Sequence, residues 1–410
     1  MAKHENIVVG LDIGTTKTCV IVGVVSTDGK VKIIGVGSAP SKGLKKGVVV
    51  DIEETVESIK KAVEEAERMA DVRIHSVYVG IAGGHIQGHS GHGVILIKGN
   101  EVSRADIEHV TDAAQASVQV PMDREILHVI HRGFVVDGQA GIRDPLGLSG
   151  GRLEVDIHVV TGAVTSAQNI VKSLERAGLA MMRMVLQPLA SSEATLTMEE
   201  KELGVVLVDI GGGTTDVAIF MEGGVRHTAV FAIGGSNFTK DIAIGLHTPL
   251  DEAERIKIKY GAAWSDLVEA TEVIEVQSMG GRPTRILSRH VLADIMEPRA
   301  EEIFNLVARE IDQVGQDRVA SGVVITGGGV CMPGIVDVAE KVLGLPARSG
   351  NPHDVIGLID MVSSPIYSTG VGLILYPVRN AGNQEIQRTR KRTTLGQIRH
   401  MMKSWVKEFF

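Results

Sequence analysis

The chain contains only two cysteines, Cys19 and Cys331, among its 410 residues. Two isolated cysteines form neither a disulfide framework nor a cysteine-rich metal site, and they are typical of a reducing, intracellular environment. Aromatic residues make up only 3% of the chain, which gives little support for a surface on which nucleic-acid bases stack. The net charge of −8 argues against general nucleic-acid binding, so we expect no nucleic-acid partner.

Long hydrophobic runs are also missing. No apolar stretch approaches the roughly 18 residues that a transmembrane helix needs, and the apolar stretch near the N-terminus is interrupted by Asp12. The sequence therefore predicts neither a membrane span nor a signal peptide. A hydrophobic content of 44% over 410 residues instead indicates a well-buried globular protein of two or more domains.

The most informative segment is Val205–Ile219, which reads VVLVDIGGGTTDVAI. Its pattern predicts a buried strand, a tight glycine turn and a second strand. Glycines without a Cβ let backbone N–H groups approach an anion closely, and threonine hydroxyls add donors. We expect Asp209 to hold Mg²⁺ through water while a phosphate-binding loop follows it, formed by Gly211, Gly212, Gly213, Thr214 and Thr215.

The same pattern occurs a second time at Val8–Val22, VVGLDIGTTKTCVIV. A shift of 197 positions places Asp12 on Asp209 and Gly14 on Gly211. Two copies of one strand–Asp–glycine-loop–strand unit favour two related halves that face one nucleotide. The alternative is a chance similarity between two hydrophobic hairpins.

Two further glycine turns follow in the second half. Val323–Pro333, VVITGGGVCMP, again joins an apolar strand to three glycines, and Ile233–Ile244, IGGSNFTKDIAI, reads as a glycine turn that opens a helix. Bare backbone at the turn of Val323–Pro333 suits a flat ligand such as adenosine, although a plain strand-to-helix turn is the alternative. Neither a Walker loop nor a Rossmann fingerprint is present, since no GK[ST] or correctly placed helix follows. We expect mixed sheets flanked by helices, with the ligand between the halves.

Local patterns also predict individual elements of these sheets and helices. Strands at about 7–13, 18–25 and 31–38 form a meander, and a helix at 52–70 follows, capped by Asp51. A strand leads into Gln187 and a further helix, and a hairpin is predicted near Met279–Pro283.

A smaller αβ module is predicted over about 84–160. It contains a helix at 103–117 capped by Ser103 and strands near 126–131, 133–137 and 153–160. The glycine-rich stretch GGHIQGHSGHG at its start reads as a flexible loop. His85, His89 and His92 have a spacing that metal ligands use, but no cysteine or acidic residue joins them.

The C-terminal residues have a different character. Residues 379–393 are polar and predict a linker, and the segment from Arg388 carries seven basic side chains against one acidic side chain, a local charge of +6. The last residues predict an amphipathic helix that lies in an anionic membrane surface, with docking on the body or on a partner as the alternative. Its apolar and basic residues are Leu395, Ile398, Met402, Trp405 and Phe409, and Arg399, Lys403 and Lys407.

The motifs DIGTTK, DIGGGTTD and TGGG, in this order and spacing, resemble the actin, DnaK and sugar-kinase superfamily. The stretches GLSGGRLEVDIHVVT, GGRP at 280–283 and EPRAEEIFNLV extend the likeness over nearly the whole chain. They resemble the FtsA family of actin-like bacterial cell-division proteins. The resemblance implies an α/β, actin-like ATPase fold: two ribonuclease-H-like lobes around a nucleotide cleft, an FtsA-type inserted subdomain and a C-terminal amphipathic helix.

The resemblance also implies domain boundaries. The first lobe comprises 1–83 with 161–200 and 360–378, and the inserted subdomain, 84–160, serves polymer contacts. The second lobe comprises 201–244 with 314–359, and its small subdomain, 245–313, binds the C-terminal peptide of the tubulin-like FtsZ. A linker, 379–393, and a membrane-targeting helix, 394–410, follow. Arg299 and Asn305 are candidate peptide contacts, with a solvated helix face as the alternative.

By the same resemblance the cleft binds ATP and Mg²⁺, with Asp12 and Asp209 organising the metal ion and its waters. The phosphates lie between two loops, formed by Gly14, Thr15, Thr16 and Lys17 and by Gly211–Thr215. The nucleoside is held by Gly235, Asn237, Glu254, Lys257, Gly327, Gly328 and Gly329. Gln187 matches a glutamine that positions water in actin. Because an amide is not a base, we expect slow hydrolysis at most rather than an enzyme.

The resemblance therefore implies a protein at the cytoplasmic face of the inner membrane that polymerises and anchors the FtsZ ring at the division site. It also implies contacts with other division proteins. Two other classes of function remain open at this point. A small-molecule kinase would need a catalytic aspartate base and has no use for the tail, and a DnaK-type chaperone would need a large peptide-binding domain.

Overall fold

The computed structural model describes residues 6–281 and 283–380. Three main sheets of six, four and five strands organise these residues. Helices cover the six- and five-stranded sheets, and this confirms the predicted α/β class. The predicted linker and the amphipathic helix at 394–410 lie outside the described residues, apart from the first two positions of the linker.

The first described elements form most of the first sheet. They are β1 (Ile7–Ile13), β2 (Lys17–Val25), β3 (Val31–Pro40), β4 (Leu44–Lys45), β5 (Val48–Val49), α1 (Ile52–Ala70) and β6 (Ser76–Ile81). Strands β1, β2 and β3 make the predicted antiparallel meander. The cap predicted for α1 is confirmed, because the Asp51 carboxylate accepts a hydrogen bond from the Glu54 amide at 3.0 Å.

The four-stranded sheet is contained in the next segment. Its elements are β7 (Gln87–Leu96), α2 (Arg104–Ala116), β8 (Arg124–Val136), β9 (Gln139–Ile142) and β10 (Arg152–Ala163), in the sheet order β7-β10-β8-β9. Ser103 caps α2 as predicted. The two strands predicted near 126–131 and 133–137 are one strand, in which Arg132 is an extra residue at a bulge beside Gly133.

The prediction of a flexible loop over the glycine- and histidine-rich stretch was wrong, because most of it is strand β7. Helix α2 packs so closely on this strand that the positions facing the helix have no room for a Cβ. A Cβ at Gly91 would lie 2.6 Å from the Ala114 carbonyl oxygen, and one at Gly93 would lie 2.4 Å from the Val110 carbonyl oxygen. The glycines therefore serve helix packing rather than flexibility.

The chain then returns to the first sheet. This part consists of α3 (Val164–Arg176), β11 (Ala180–Leu186), α4 (Gln187–Thr195) and α5 (Met198–Leu203). Strand β11 pairs in parallel with β6. As predicted, a strand delivers Gln187 to the first position of a helix.

The second half begins with a second meander and continues in helices. Its elements are β12 (Val205–Ile210), β13 (Thr215–Met221), β14 (Gly224–Phe231), α6 (Gly235–Leu246), α7 (Leu250–Tyr260), β15 (Val273–Val276), β16 (Arg285–Ser288) and α8 (Arg289–Val314). The hairpin predicted near Met279–Pro283 is confirmed, because β15 and β16 pair on either side of it. Phe304 and Met296 of α8 are buried in the core of this half.

The last described elements complete both large sheets. They are β17 (Val323–Thr326), α9 (Ile335–Leu343), β18 (Ala347–Ser349), β19 (Val355–Gly357), α10 (Ile359–Val362) and α11 (Ser368–Arg379). The sheets have the orders β11-β6-β1-β2-β3-β19 and β14-β13-β12-β17-β18. Strand β19 pairs with β3, so the first sheet takes a strand from the segment 314–359 that we expected in the second lobe.

Helix α11 is buried between β1 and α4 and packs very closely on α4. A Cβ at Gly372 would lie 1.8 Å from the Ala190 carbonyl oxygen, so only glycine permits this approach. Within 6–281 and 283–380, no helix has both the length and the hydropathy needed to cross a bilayer.

Candidate functional site

A cavity of about 280 Å³ lies between the two large sheets. Asp12 at the end of β1 and Asp209 at the end of β12 both line it, since each follows the same buried strand pattern. The other predicted residues that line the cavity are Gly14, Thr15, Thr16, Lys17, Gln187, Gly211, Gly212, Gly213, Thr214, Gly327 and Gly328. The structure thus brings both repeated loops to one cavity.

The two loops have the same kind of backbone turn and contact each other. The Gly14 amide donates to the Lys17 carbonyl at 3.0 Å, and the Gly211 amide donates to the Thr214 carbonyl at 2.9 Å. A Cβ at Gly212 would lie 2.5 Å from Cγ2 of Thr16. The loops from the two sheets can therefore approach this closely only because the second loop is built of glycine.

Asp12 is buried with few compensating charges. Its Oδ1 accepts a hydrogen bond from Nε2 of Gln187 at 2.9 Å. Burial raises the pKa of Asp12 to about 6; the charge of Lys17 opposes this shift and that of Asp209 adds to it. An uncharged amide is thus the group that orients this carboxyl on the side of α4.

Asp209 is held by two hydroxyl groups that the sequence did not reveal. Its Oδ2 accepts hydrogen bonds from Ser191 Oγ at 2.6 Å and from Thr369 Oγ1 at 3.1 Å. Burial raises its pKa, and the two hydroxyl donors partly oppose the rise. Because α4 and α11 supply these hydroxyls, helices of the first sheet orient the carboxylate of the second.

Asp216 is a third buried carboxyl, paired with Asp209 across the two strands but absent from the residues predicted for the site. Its Oδ2 accepts a hydrogen bond from Thr214 Oγ1 at 2.9 Å, whereas its Oδ1 has no partner among the described residues. Burial raises its pKa well above the usual value, and the charge of Asp209 adds to the effect. Asp216 of β13 pairs directly with Asp209 of β12. Its position immediately after the two threonines was the sequence signal that could have identified it as a site residue.

These carboxyls suit a hydrated divalent cation. Burial raises the pKa of all three acids, and the charge of Lys17 only partly opposes this at Asp12 and Asp209. A bound cation would favour the ionised forms of these carboxyls. Within the described residues, no group of three or more His, Cys, Asp or Glu side chains is close enough to hold a metal ion directly. The donor set therefore fits Mg²⁺ that keeps its waters and shares ligands with phosphate.

Six of the predicted nucleotide-binding residues do not line this cavity. Thr215 is fully buried and donates to the Ile233 carbonyl at 2.9 Å. The Gly235 amide donates to the Gly211 carbonyl at 2.9 Å, and the Lys257 ammonium donates to Glu254 at 2.6 Å and to the Gly235 carbonyl at 3.1 Å. The remaining two are Asn237, whose side chain caps α6, and Gly329, which is buried against Ile210.

Comparisons with known proteins establish the family. Residues 206–372 match the family model "Cell division protein FtsA", and residues 83–161 match the model "SHS2 domain inserted in FTSA". The chain is 53% identical over 375 residues to the cell division protein FtsA of Pseudomonas aeruginosa, which covers 91% of this chain and 90% of that protein. The chain belongs to the FtsA family.

Solved structures show the same fold at low sequence identity. A PilM–PilN type IV pilus biogenesis complex matches with a TM-score of 0.66 at 17% identity, covering 90% of this chain and 98% of that chain. MreB5 of Spiroplasma citri bound to ADP matches with a TM-score of 0.55 at 15% identity, covering 93% and 99%. The actin-like fold of this FtsA-family chain is therefore confirmed.

The two predicted peptide contacts lie in different surroundings. Arg299 lines a groove between α6 and α8 together with Asp241, Ile244, Gly245, Ile295, Pro298 and Glu302. Its guanidinium binds both oxygens of Asp241, at 2.6 and 2.9 Å, and also pairs with Glu302. Asn305 does not line the groove, and its side-chain amide donates to the Glu301 carbonyl at 2.7 Å.

The three histidines considered as metal ligands have other partners or positions. His89 hydrogen bonds with Thr161 at 3.2 Å, and His92 with Asp156 at 2.9 Å. His85 lies beside Gly83 at the entrance to the inserted sheet. Because the described residues contain no group of three potential ligands, the metal-site interpretation has no support there.

We expect His128→Gln to flatten the acid dependence of stability. His128 of β8 is fully buried, its Nε2 accepts from the Leu186 amide at 3.0 Å, and burial lowers its pKa from 6.5 to about 3. As the pH falls, the unfolded chain is protonated at this histidine before the folded protein is. The stability that neutral His128 contributes is therefore present above pH 6.5 and is lost as the pH falls towards 3. The loss at pH 5 is about 2 kcal/mol.

Urea unfolding near pH 7.5 and near pH 5, each with the wild type and the variant, measures this difference. Glutamine keeps an acceptor for the Leu186 amide but has no titrating group. His109→Gln is the matched control, because His109 is exposed and lies on the same inserted domain. Equal pH dependence of the wild type and the His128 variant would contradict the assignment.

Proposed function

We propose that the chain is an ATP-binding, polymerising cell-division protein that tethers the FtsZ ring to the cytoplasmic face of the membrane. The observation that carries the proposal is the convergence of two repeated Asp–glycine loops, one from each large sheet, on one cavity. Membership of the FtsA family favours cell division over the kinase and chaperone interpretations.

In this proposal the phosphates of ATP bind between the loops 14–17 and 211–214. Backbone amides and threonine hydroxyls supply donors, and the glycines leave room for the phosphate oxygens. Asp12 and Asp209 would hold the waters of Mg²⁺, which supplies positive charge to the phosphates. The fold relative MreB5 is described as bound to ADP, which supports a nucleotide as the ligand.

Gln187 suits water positioning rather than proton removal. Its Nε2 is already bound to Asp12, so its amide has a fixed orientation at the cavity wall. An amide orients a water molecule through a hydrogen bond but takes no proton from it. We therefore propose slow hydrolysis at most, with ATP acting mainly on conformation and polymerisation.

The groove around Arg299 is the proposed site for the FtsZ tail peptide. Its rim carries Ile244, which is 72% exposed, next to Pro298 and the paired charges of Arg299 and Asp241. An apolar side chain beside an arginine suits a short peptide with apolar and acidic residues. Asn305 would contact only a peptide that extends beyond the groove.

The proposed membrane anchor is the basic, amphipathic segment 394–410. Trp405 and Phe409 would enter the lipid interface, and Arg399, Lys403 and Lys407 would contact anionic headgroups. The inserted domain would serve filament contacts and binding to other division proteins. Anchoring at the division site then follows from simultaneous contact with lipid and with FtsZ.

Co-sedimentation with anionic vesicles, ATP–Mg²⁺ and FtsZ tests the whole proposal. The full-length chain should sediment with vesicles, form filaments on them and bring FtsZ into the pellet. Trp405→Glu should abolish vesicle binding and leave ATP affinity unchanged, because Trp405 belongs to the proposed anchor and not to the two loops that line the cavity. Full vesicle binding by a truncation that ends at Asn380 would contradict the anchor.

A matched pair of variants separates FtsZ binding from membrane binding. Ile244→Glu should prevent FtsZ from entering the pellet, while the chain itself still sediments with the vesicles. Ile258→Glu is the control, because Ile258 is 75% exposed on α7 and does not line the groove. Equal FtsZ recruitment by both variants would rule out the groove as the peptide site.

A further inference from the structure

The hairpin of β4 and β5 forms part of the wall of the nucleotide cavity. Leu44, Gly47 and Val49 of this hairpin line the cavity together with both phosphate loops. Its sequence, LKKGVV, carries two lysines, and neither belongs to the residues predicted for the site. Neither lysine lines the cavity itself, but both belong to a hairpin that does.

The turn of the hairpin has a defined geometry. Lys46 has a φ of 53° and Gly47 has a φ of 75°, so both central residues are left-handed. Positive φ at both positions is the requirement of a two-residue type I′ turn. A left-handed backbone conformation is energetically unfavourable for lysine, and the surrounding hairpin holds Lys46 in it.

Lys46 lies between loops that belong to different sheets. The Gly47 amide donates to Thr15 Oγ1 at 3.2 Å, which fixes the tip to the first loop. A Cβ at Gly213 would lie 3.0 Å from Cα of Lys46, so the tip also contacts the second loop. The backbone of Lys46 is therefore adjacent to both proposed phosphate-binding loops.

Among the lysines near the cavity, Lys46 has an ammonium group that is free to bind an anion. Lys17, the lysine that lines the cavity, donates to the Ile366 carbonyl and lies 4.0 Å from the centroid of the Tyr367 ring. Lys46 is exposed, and it takes part in none of the salt bridges among the described residues. The cavity itself contains buried carboxyls, which repel phosphate unless cations are present.

We propose that Lys46 binds the terminal phosphate of the nucleotide and makes the β4–β5 hairpin selective for triphosphate over diphosphate. This inference rests on the proposed function, since it requires a nucleotide between the two loops. A lysine ammonium is a flexible cation suited to a phosphate oxygen. The hairpin then joins the two loops through the phosphate when ATP is bound.

Titration of the full chain with ATP–Mg²⁺ and ADP–Mg²⁺ tests this inference. Lys46→Asn should raise the Kd for ATP about 10-fold and the Kd for ADP less than about 2-fold, as expected for loss of one charge-assisted contact. Asparagine accepts left-handed backbone, and Lys46→Gly is a second variant that removes the charge without strain. Lys46→Arg should restore most of the preference for ATP.

Lys45→Asn is the matched control, because Lys45 is exposed on the strand and precedes the left-handed turn. An unchanged ratio of the two affinities in both Lys46 variants would overturn the inference and leave nucleotide binding intact. Equal weakening by the Lys45 and Lys46 variants would also overturn it, as a general charge effect. A wild-type chain that binds neither nucleotide would overturn the proposed function along with it.

Discussion

Asp12→Asn is expected to abolish magnesium-dependent nucleotide binding and, at the same time, to stabilise the nucleotide-free protein. Burial raises the pKa of Asp12 from 3.8 to about 6. The folded protein therefore binds the proton more tightly than the unfolded chain, so stability from this group falls as pH rises from about 4 to about 6. Asparagine removes that cost of about 2–3 kcal/mol near pH 7.5 and keeps an acceptor for Gln187.

Two measurements check this prediction. Denaturant unfolding of the nucleotide-free protein should show the gain in stability above pH 6 and little gain near pH 4. Nucleotide titration with and without Mg²⁺ should show that only the wild type responds to the metal ion. Asp266→Asn is the control, because Asp266 is exposed and distant in sequence from the loops. Loss of affinity without a gain in stability would show that the Asp12 charge is compensated in the free protein.

Gly372→Ala is expected to destabilise the protein strongly. The added methyl group would lie 1.8 Å from the Ala190 carbonyl oxygen, so α11 must move away from α4. Rigid backbone lies on both sides, and we therefore expect a loss of about 3 kcal/mol or more. The movement would also separate Ser191 from Thr369, whose hydroxyls lie 3.0 Å apart beside Asp209.

Thermal unfolding of the variant, with and without ATP–Mg²⁺, measures both effects. The apparent midpoint should fall by several degrees, and the nucleotide should restore less of it than in the wild type. Gly99→Ala is the control, because its Cβ would lie 3.8 Å from the nearest atoms and its φ is not positive. Similar midpoints for the two variants would show that α11 adjusts without loss of packing.

The sequence predicted the elements whose signals are local. Both Asp–glycine hairpins, the caps at Asp51 and Ser103 and the delivery of Gln187 by a strand follow from residues close together in the chain. Strand β7 was missed because its glycines are explained by contact with α2, which lies outside the local pattern. The pairing of β19 with β3 was missed for the same reason, since the two strands lie far apart in sequence.

The same distinction applies to the site. The loops and their aspartates were predictable because the motif repeats, whereas Thr369 and Ser191 contact Asp209 across long sequence separations. Asp216 directly follows the predicted loop, but only the pairing of β12 with β13 shows that it is buried opposite Asp209. Lys46 lies in a two-residue turn whose position beside Gly213 only the folded chain reveals.

The hydrogen bond from the Leu186 amide to His128 joins two parts of the molecule mechanically. His128 belongs to the inserted sheet, and Leu186 immediately precedes Gln187, which contacts Asp12. One imidazole and one peptide unit therefore connect β8 to the residue whose side chain binds Asp12. A contact that displaced His128 from outside would act on the backbone next to Gln187, so the inserted sheet has a direct structural link to the cavity.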